Sequence, residues 1–293
     1  MKKSVLTNSD ITIIVSSCDA YEDCWNPFFK LFAYYWSNVS AKVVLITDQK
    51  DYTCPYMDVR VFRASAAENG QRYPWGWNLV RCLESIETDV VLYLQEDFFL
   101  TAQVDDEKII EFASYVAEIS WTHESTMHIG LCPRSSHGPF HLTEHPLLWE
   151  VDRQARYRFS LQPGLWRRLD LLKYVKKTDT AWDFEEYSHF RGRRESRRIL
   201  TVNRHVFNLE EKQIYPFNPH GGIVRGKWHR GSVVDLFEKH GIKVDFSQRG
   251  FIDDKLHNNS EPPTFIGRVR NALRSRVAKW KGMVNEKIDR YRY

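Results

Sequence analysis

Asp89-Val-Val-Leu-Tyr-Leu-Gln-Glu-Asp97 is the stretch that decides the fold. Five uninterrupted apolar residues, Val90 to Leu94, leave no polar face, so the segment reads as a strand buried on both sides, as in a parallel sheet covered by helices. It then ends abruptly in Gln95-Glu96-Asp97. Immediately upstream, Asn78 to Glu87 carries Leu79, Cys82, Leu83 and Ile86 at helical spacing. Ile11-Thr-Ile-Ile-Val-Ser-Ser-Cys-Asp19 has the profile of a buried first strand. Pro27 to Tyr35 reads as a helix, Lys42 to Asp48 as a second strand and Asp58 to Phe62 as a third. Strand, helix, strand, strand, helix, strand at these intervals predicts an α/β chain with a mostly parallel sheet and helices on both faces.

Downstream, Asp105 to Ser120 reads as a further helix, and His123 to Arg158 as a long irregular excursion. Tyr157 to Gln162 is strand-like, Pro163-Gly164 signals a turn, Trp166 to Val175 reads as a helix, and Asp183 to His189 opens another. Residues 1–264 are expected to form one domain. From Phe265 on, Ile266, Val269, Leu273, Val277, Trp280, Val284 and Ile288 step by three and four, predicting an amphipathic helix over 265–293. That tail carries nine Lys/Arg against Glu286 and Asp289, a charge of +7. With +4 for the whole chain, the body is left at −3. A basic tail on an acidic body points to an anionic membrane surface for the tail and away from a nucleic-acid-binding core.

The 293 residues include 42% apolar ones, enough for one elaborate α/β domain. Met1-Lys-Lys-Ser-Val lacks the apolar stretch of a signal peptide, and no window matches a spanning helix. Cys18, Cys24, Cys54, Cys82 and Cys132 form an odd set without a CxxC pair. The expectation is a reducing compartment, hence a cytoplasmic chain, peripheral on the inner face of the membrane through its tail. The sequons at Asn38 and Asn258 carry meaning only in a secreted chain.

Two adjacent carboxylates at the end of a buried strand stand where open α/β sheets bind ligands, and their desolvation is relieved by a hard divalent cation shared with a diphosphate. Ser17-Cys18-Asp19-Ala20-Tyr21 closes the first strand, Trp75-Gly76-Trp77-Asn78 opens a helix, and Tyr93 to Leu100 carries the acids. Ala181-Trp-Asp-Phe-Glu-Glu-Tyr187 adds three carboxylates beside aromatic rings, and Gly221-Gly-Ile-Val-Arg-Gly-Lys-Trp-His229 a cationic glycine loop. In this order the motifs resemble GT-A-fold glycosyltransferases, particularly bacterial enzymes of surface-polysaccharide and lipopolysaccharide synthesis with the pattern SSCDAY, LxxDDFFL, WxFE and GxxxGKW. The resemblance covers roughly residues 10–230. The chain departs from it in having Gln95-Glu96-Asp97 where the pattern has two aspartates.

The resemblance implies transfer of a sugar from a nucleoside-diphosphate sugar to a glycan or lipid-linked acceptor, with inversion and with Mn²⁺ or Mg²⁺. It implies Ser17, Asp19, Tyr21, Arg72 and Trp77 for the nucleotide, and Glu96 and Asp97 for the metal, with His229 as a further ligand. Glu185 is implied as the base that deprotonates the acceptor hydroxyl, with Asp183 second. Gln162 and Gly164 are candidates for the donor sugar. Arg225 and Lys227 can neutralise a departing diphosphate. In a helix, Trp182 and Glu185 share a face while Glu186 turns away. His137, His141 and His145 are spaced by four, but Gly138-Pro139 breaks any helix, so they read as loop residues. Two other classes compete. A sugar-nucleotide nucleotidyltransferase would open with a Gly-rich loop, which Ser16 to Tyr21 lacks; a non-catalytic membrane-docking module would leave the acidic clusters without a purpose.

Overall fold

The computed structural model describes Thr7 and residues 10–64, 72–118, 125–192, 195–209 and 211–252. The helix expected over 265–293 lies outside them. Among the described residues no helix is long and apolar enough to cross a membrane, and all five cysteines are free thiols.

The chain runs β1 (Ile11–Ser16), α1 (Glu22–Tyr35), β2 (Lys42–Thr47), β3 (Arg60–Arg63), α2 (Trp75–Glu84), β4 (Val90–Gln95), α3 (Asp106–Ala117) and β5 (Thr126–Gly130). It continues through β6 (Phe140–Leu142), β7 (Leu148–Val151), β8 (Gly164–Arg167), α4 (Arg168–Tyr174), α5 (Ala181–Arg191) and β9 (Arg198–Val202). A small hairpin, β10 (Ile223–Val224) and β11 (Lys227–Trp228), precedes α6 (Arg230–Lys239).

The first nine strands form one sheet in the order β3-β2-β1-β4-β8-β5-β9-β7-β6. β1 pairs in parallel with both β2 and β4, and β2 with β3. β8 and β7 run against the other seven strands. The α/β sheet is therefore mixed but mostly parallel, as the sequence predicts.

The alternation of side chains sorts the core into two layers. Ile13, Val15, Leu92 and Leu94 face α1, α3 and α6, meeting Phe28, Phe32, Phe112 and Phe237. Ile14, Val91 and Tyr93 face α2, α4 and α5, meeting Leu79, Leu83, Leu171 and Phe184. Each such fully buried side chain contributes roughly 1.5–3 kcal/mol, so the sheet is held rigidly from both sides.

Boundaries differ from the sequence reading where tertiary pairing overrides local signals. Tyr157 to Gln162 is irregular, and the strand lies just beyond it as β8. Gly164 does not turn the chain. It pairs with Tyr93 and Gly130 inside the sheet, where a Cβ would sit 2.5 Å from the His128 ring. The following helix begins at Arg168 because Leu165 and Trp166 are taken up by the ladder. The helix read from Pro27 starts earlier, at Glu22, with Pro27 inside it. Among the spaced histidines, His141 lies in β6 and not in a loop, because it pairs with Glu150 of β7, and it bonds Asp152, while His145 bonds Glu111 and packs on Phe112 and Tyr115.

β1 is the point at which the strand order divides, with β2 and β3 to one side and β4 to the other. The register sets Ser16 beside Gln95, so both chains leave the sheet there at the same level. Such a division opens a crevice at the carboxyl ends of the two strands, where α/β sheets take ligands.

Candidate active site

A cleft of about 870 Å³ occupies that crevice, within the range of small-molecule sites. Its floor is Ser16, Ser17 and Cys18 from β1, and Gln95, Glu96 and Asp97 from β4. Arg72 and Trp75 enter from the start of α2, Gln162 from the approach to β8, Trp182 and Glu185 from α5, His220 and Gly221 from the loop before the hairpin, and Ile223 to Gly226 from the hairpin. The motifs singled out in sequence thus converge from six separate parts of the chain.

The acidic pair is the electrostatic centre. Glu96 is buried, and burial, then the Asp97 carboxylate beside it, hold its carboxyl well above the usual range. Burial pushes Asp97 up to about 6, against the backbone N–H groups of Ile223, of Asp97 itself and of Gly222. The Asp97 side chain accepts from the Ile223 N–H at 3.2 Å, and its carbonyl accepts from the Gly222 N–H at 2.9 Å. Gly221 sits at φ +72°, and a Cβ there would come 2.6 Å from Asp97 Oδ2; at Gly222 it would meet the Phe99 ring at 2.1 Å. Only glycines let this backbone lie so close to the carboxylate.

Two carboxylates raised by burial hold more negative charge than the protein around them compensates. A divalent cation would relieve it. Among the described residues no group of three potential ligands converges on one point, so a cation on Glu96 and Asp97 would complete its shell with oxygens of a ligand and water. That suits Mg²⁺ or Mn²⁺ with a diphosphate, since such ions keep waters and share phosphate oxygens. His229 does not join the two acids in one group: its Nδ1 pairs with Ser232 Oγ at 2.6 Å, while its ring stands 5.3 Å from that of His220, which lines the cleft, and its N–H donates to the Gly222 carbonyl at 2.9 Å.

The nucleotide candidates divide. Tyr21 lines the cleft with its ring under the Arg249 guanidinium at 4.4 Å, and Arg249 is itself held by Asp23 through its Nε at 2.6 Å. Ser17 lines the floor, and its hydroxyl accepts from Trp25 Nε1 at 2.7 Å. Asp19, by contrast, turns beneath the loop after β2, where its carboxylate accepts from the N–H groups of Asp48, Gln49 and Lys50 at 3.0 to 3.3 Å. Its own N–H donates to Asp48 Oδ2 at 3.3 Å. Asp48 is the acid that faces the cleft, where it pairs with Arg72 at 3.1 Å and accepts from Asn78 Nδ2 at 3.0 Å. Arg72 also donates to Cys18 Sγ at 3.0 Å, which ties the lip of α2 to the end of β1.

Trp77 is turned about 200° around α2 from Trp75. It stacks on Tyr73 at 4.8 Å and under Lys177, outside the cleft lining. Trp75 is the inward one, donating from Nε1 to Ser16 Oγ at 3.0 Å. Asp48, Asn78 and Trp75 are among the cleft residues that sequence reasoning did not single out as ligand contacts. Asp48 ends the second apolar strand as Asp97 ends the fourth, and that shared signal could have found it.

On the opposite wall, Glu185 Oε1 accepts from the Leu161 N–H at 2.8 Å and from Ser160 Oγ at 3.5 Å. Burial raises its carboxyl above the ordinary range, with those two donors pulling the other way. Asp183 is occupied elsewhere, capping α5 by accepting from Thr180 N at 3.1 Å and Thr180 Oγ1 at 2.8 Å. Gln162 lines the cleft, whereas Gly164 is inside the sheet. Arg225 is at the tip of the β10–β11 hairpin in a left-handed conformation, φ +51°, followed by Gly226 at φ +78°. Both residues of this two-residue turn line the cleft, while Lys227 lies beyond the lining.

No family model matches the chain, and no curated protein does. Among solved structures it is similar to S. aureus TarS 1–349 in complex with UDP, at 12% identity and a TM-score of 0.42, over 69% of this chain and 59% of that one. A second is mannosyl-3-phosphoglycerate synthase from Rubrobacter xylanophilus, at 13% identity and a TM-score of 0.32, over 58% and 64% of the two chains. A third is glucosyl-3-phosphoglycerate synthase from Mycobacterium tuberculosis in complex with Mn²⁺ and UDP-glucose, at 11% identity and a TM-score of 0.26, over 41% and 42%. The chain thus spans less than two thirds of the length of each. No TM-score among them reaches 0.5, and the chemistry of the cleft rests on its own residues.

Proposed function

We propose that the chain is a glycosyltransferase that moves a sugar from a nucleoside-diphosphate sugar to an acceptor hydroxyl, with inversion at the anomeric carbon. One observation carries the reading: buried Glu96 beside half-buried Asp97, and a third, half-buried carboxylate, Glu185, line one cleft from different elements, together with Arg72 and Arg225. Tyr21 offers a ring to the base, and Asp48, Arg72 and Asn78 offer a hydrogen-bonding edge for base or ribose. Glu96 and Asp97 would hold Mn²⁺ or Mg²⁺, which supplies charge neutralisation for the diphosphate when bound. Arg225, carried on a turn anchored to Asp97, adds a donor to the leaving diphosphate. Glu185 is held by Leu161 and Ser160 with a basicity raised by burial, as suits a group that must take a proton from an attacking hydroxyl. The donor sugar would lie between these two walls, beside Gln162.

The acceptor is a glycan or a lipid-linked glycan at the inner face of the membrane. The +7 tail beyond Pro263 motivates this part. Removing the residues after Pro263 is expected to free the protein from anionic vesicles at low salt, and unchanged partition would count against it.

The test of the activity is a screen of nucleoside-diphosphate sugars with Mn²⁺, following release of the nucleoside diphosphate. Turnover confined to one base or one sugar is expected. A folded protein that neither binds nor cleaves any of them would end the proposal.

A further inference from the structure

Trp182 stands out among the residues that line the cleft. Its side chain is 79% exposed, while Phe184, two residues on, is fully buried against Trp75, Trp166 and Phe159. α5 therefore takes its packing from Phe184 and needs nothing from Trp182. A large apolar ring left in water at a cleft wall is a surface awaiting a partner. The candidate base Glu185 is one helical turn further along on the same face, so the two groups look into the same space. The same cleft is lined by Pro219 and His220 from the loop before the hairpin, by Arg225 at its tip, and by Gln162.

We propose that Trp182 is the acceptor platform, and that the acceptor is a hexopyranoside whose ring lies flat on the indole while one hydroxyl reaches Glu185. This deepens the proposed activity and rests on it for the role of Glu185. The chemistry is that of the ligand's two surfaces. A pyranose presents a face of C–H groups, which pairs with an aromatic plane, and an equatorial belt of hydroxyls, which pairs with planar polar side chains. An exposed indole beside Glu185, Gln162 and Arg225 provides both. A lipid chain would want an enclosed apolar channel, and a phosphate would want cations at this wall; the described lining of α5 offers neither.

The experiment uses the full-length protein and methyl glycosides of the common hexoses and N-acetylhexosamines, read by saturation-transfer NMR, with UDP and Mn²⁺ binding measured on the same samples. For at least one glycoside, saturation is expected on the C–H protons of one ring face. Trp182→Ala should lower that glycoside's affinity by about tenfold or more and Trp182→Phe by much less, with nucleotide binding unchanged in both. Glycoside binding that Trp182→Ala leaves intact would overturn the proposal. So would the absence of any glycoside binding by the wild-type protein. If Trp182→Ala instead weakened partition onto anionic vesicles, with no glycoside effect, the indole would be a membrane contact and the platform would be disproved. The glycoside arm does not depend on the nucleotide arm: failure of every nucleotide to bind would strike the proposed activity, while a Trp182-dependent glycoside signal would still stand.

Discussion

The backbone N–H of Ile223 donates to Asp97 Oδ2 at 3.2 Å, so the hairpin that carries Arg225 is fastened to the carboxylate that ends β4. The anchor and the cation-binding group are the same residue. Ligand chemistry at Asp97 and the position of Arg225 are therefore linked through one hydrogen bond and two glycines.

Charge at that carboxylate weakens the ligand-free protein. Burial raises the folded-state pKa of Asp97 to about 6, so the folded protein holds this proton more tightly than the unfolded chain does. Stability from this group is present at low pH, is lost as pH rises from about 4 to about 6, and stays lost above. Asp97→Asn removes the charge and keeps an acceptor for Ile223. Without divalent cation the variant is expected to be more stable than wild type by about 1–2 kcal/mol at pH 7.5, a gap that closes towards pH 4. Thermal melts at the two pH values check this; an equal or lower melting temperature for the variant at pH 7.5 would contradict it.

Arg225→Gly should separate stability from binding. At φ +51° an arginine is strained, and glycine is at home there. The variant is expected to be as stable as wild type or up to about 1 kcal/mol more stable, against a loss of about tenfold or more in affinity for nucleoside diphosphate. Chemical denaturation and titration calorimetry read the two effects. A destabilised variant with normal affinity would reverse the assignment.

Much of this site could be read in the sequence because its signals are local. The runs Ile11–Ser16, Lys42–Thr47 and Val90–Gln95 are apolar without alternation, and each ends at a carboxylate or within three residues of one. What sequence could not show is which acid of a pair turns inward. Asp19 and Asp48 both end strands, yet Asp19 spends its oxygens on the backbone of residues 48–50 while Asp48 takes Arg72 and Asn78. That choice is set by two chain segments meeting 29 residues apart, and neither segment carries it alone. Trp75 and Trp77 pose the same problem: both are helix-start aromatics, and only the packing of α2 decides which faces the crevice. β8 lies a few residues beyond its strand-like signal because a short antiparallel strand inserted between parallel neighbours has no apolar run of its own, and its Gly164 is required by the His128 ring.

Glu185→Gln should remove the base and little else. The amide oxygen can still accept from Leu161 N–H, so stability is expected to stay within about 1 kcal/mol and donor binding to be unchanged. Transfer to an acceptor should fall by about 10²–10⁴-fold. Because burial raises the Glu185 pKa, wild-type transfer should climb with pH through a value above the ordinary carboxylate range, and that acid limb should vanish in the variant. A variant that keeps both rate and limb would remove Glu185 from the chemistry.

The most direct measurement is calorimetric titration of a nucleoside diphosphate series, UDP and GDP included, into wild-type and Asp97→Asn protein with and without Mn²⁺. Tight binding of one nucleotide that requires the ion in wild type, and that the variant loses while remaining folded, is the expected result. Equal affinity with and without Mn²⁺, or undiminished ion-dependent binding by Asp97→Asn, would contradict a cation-bridged diphosphate at the end of β4.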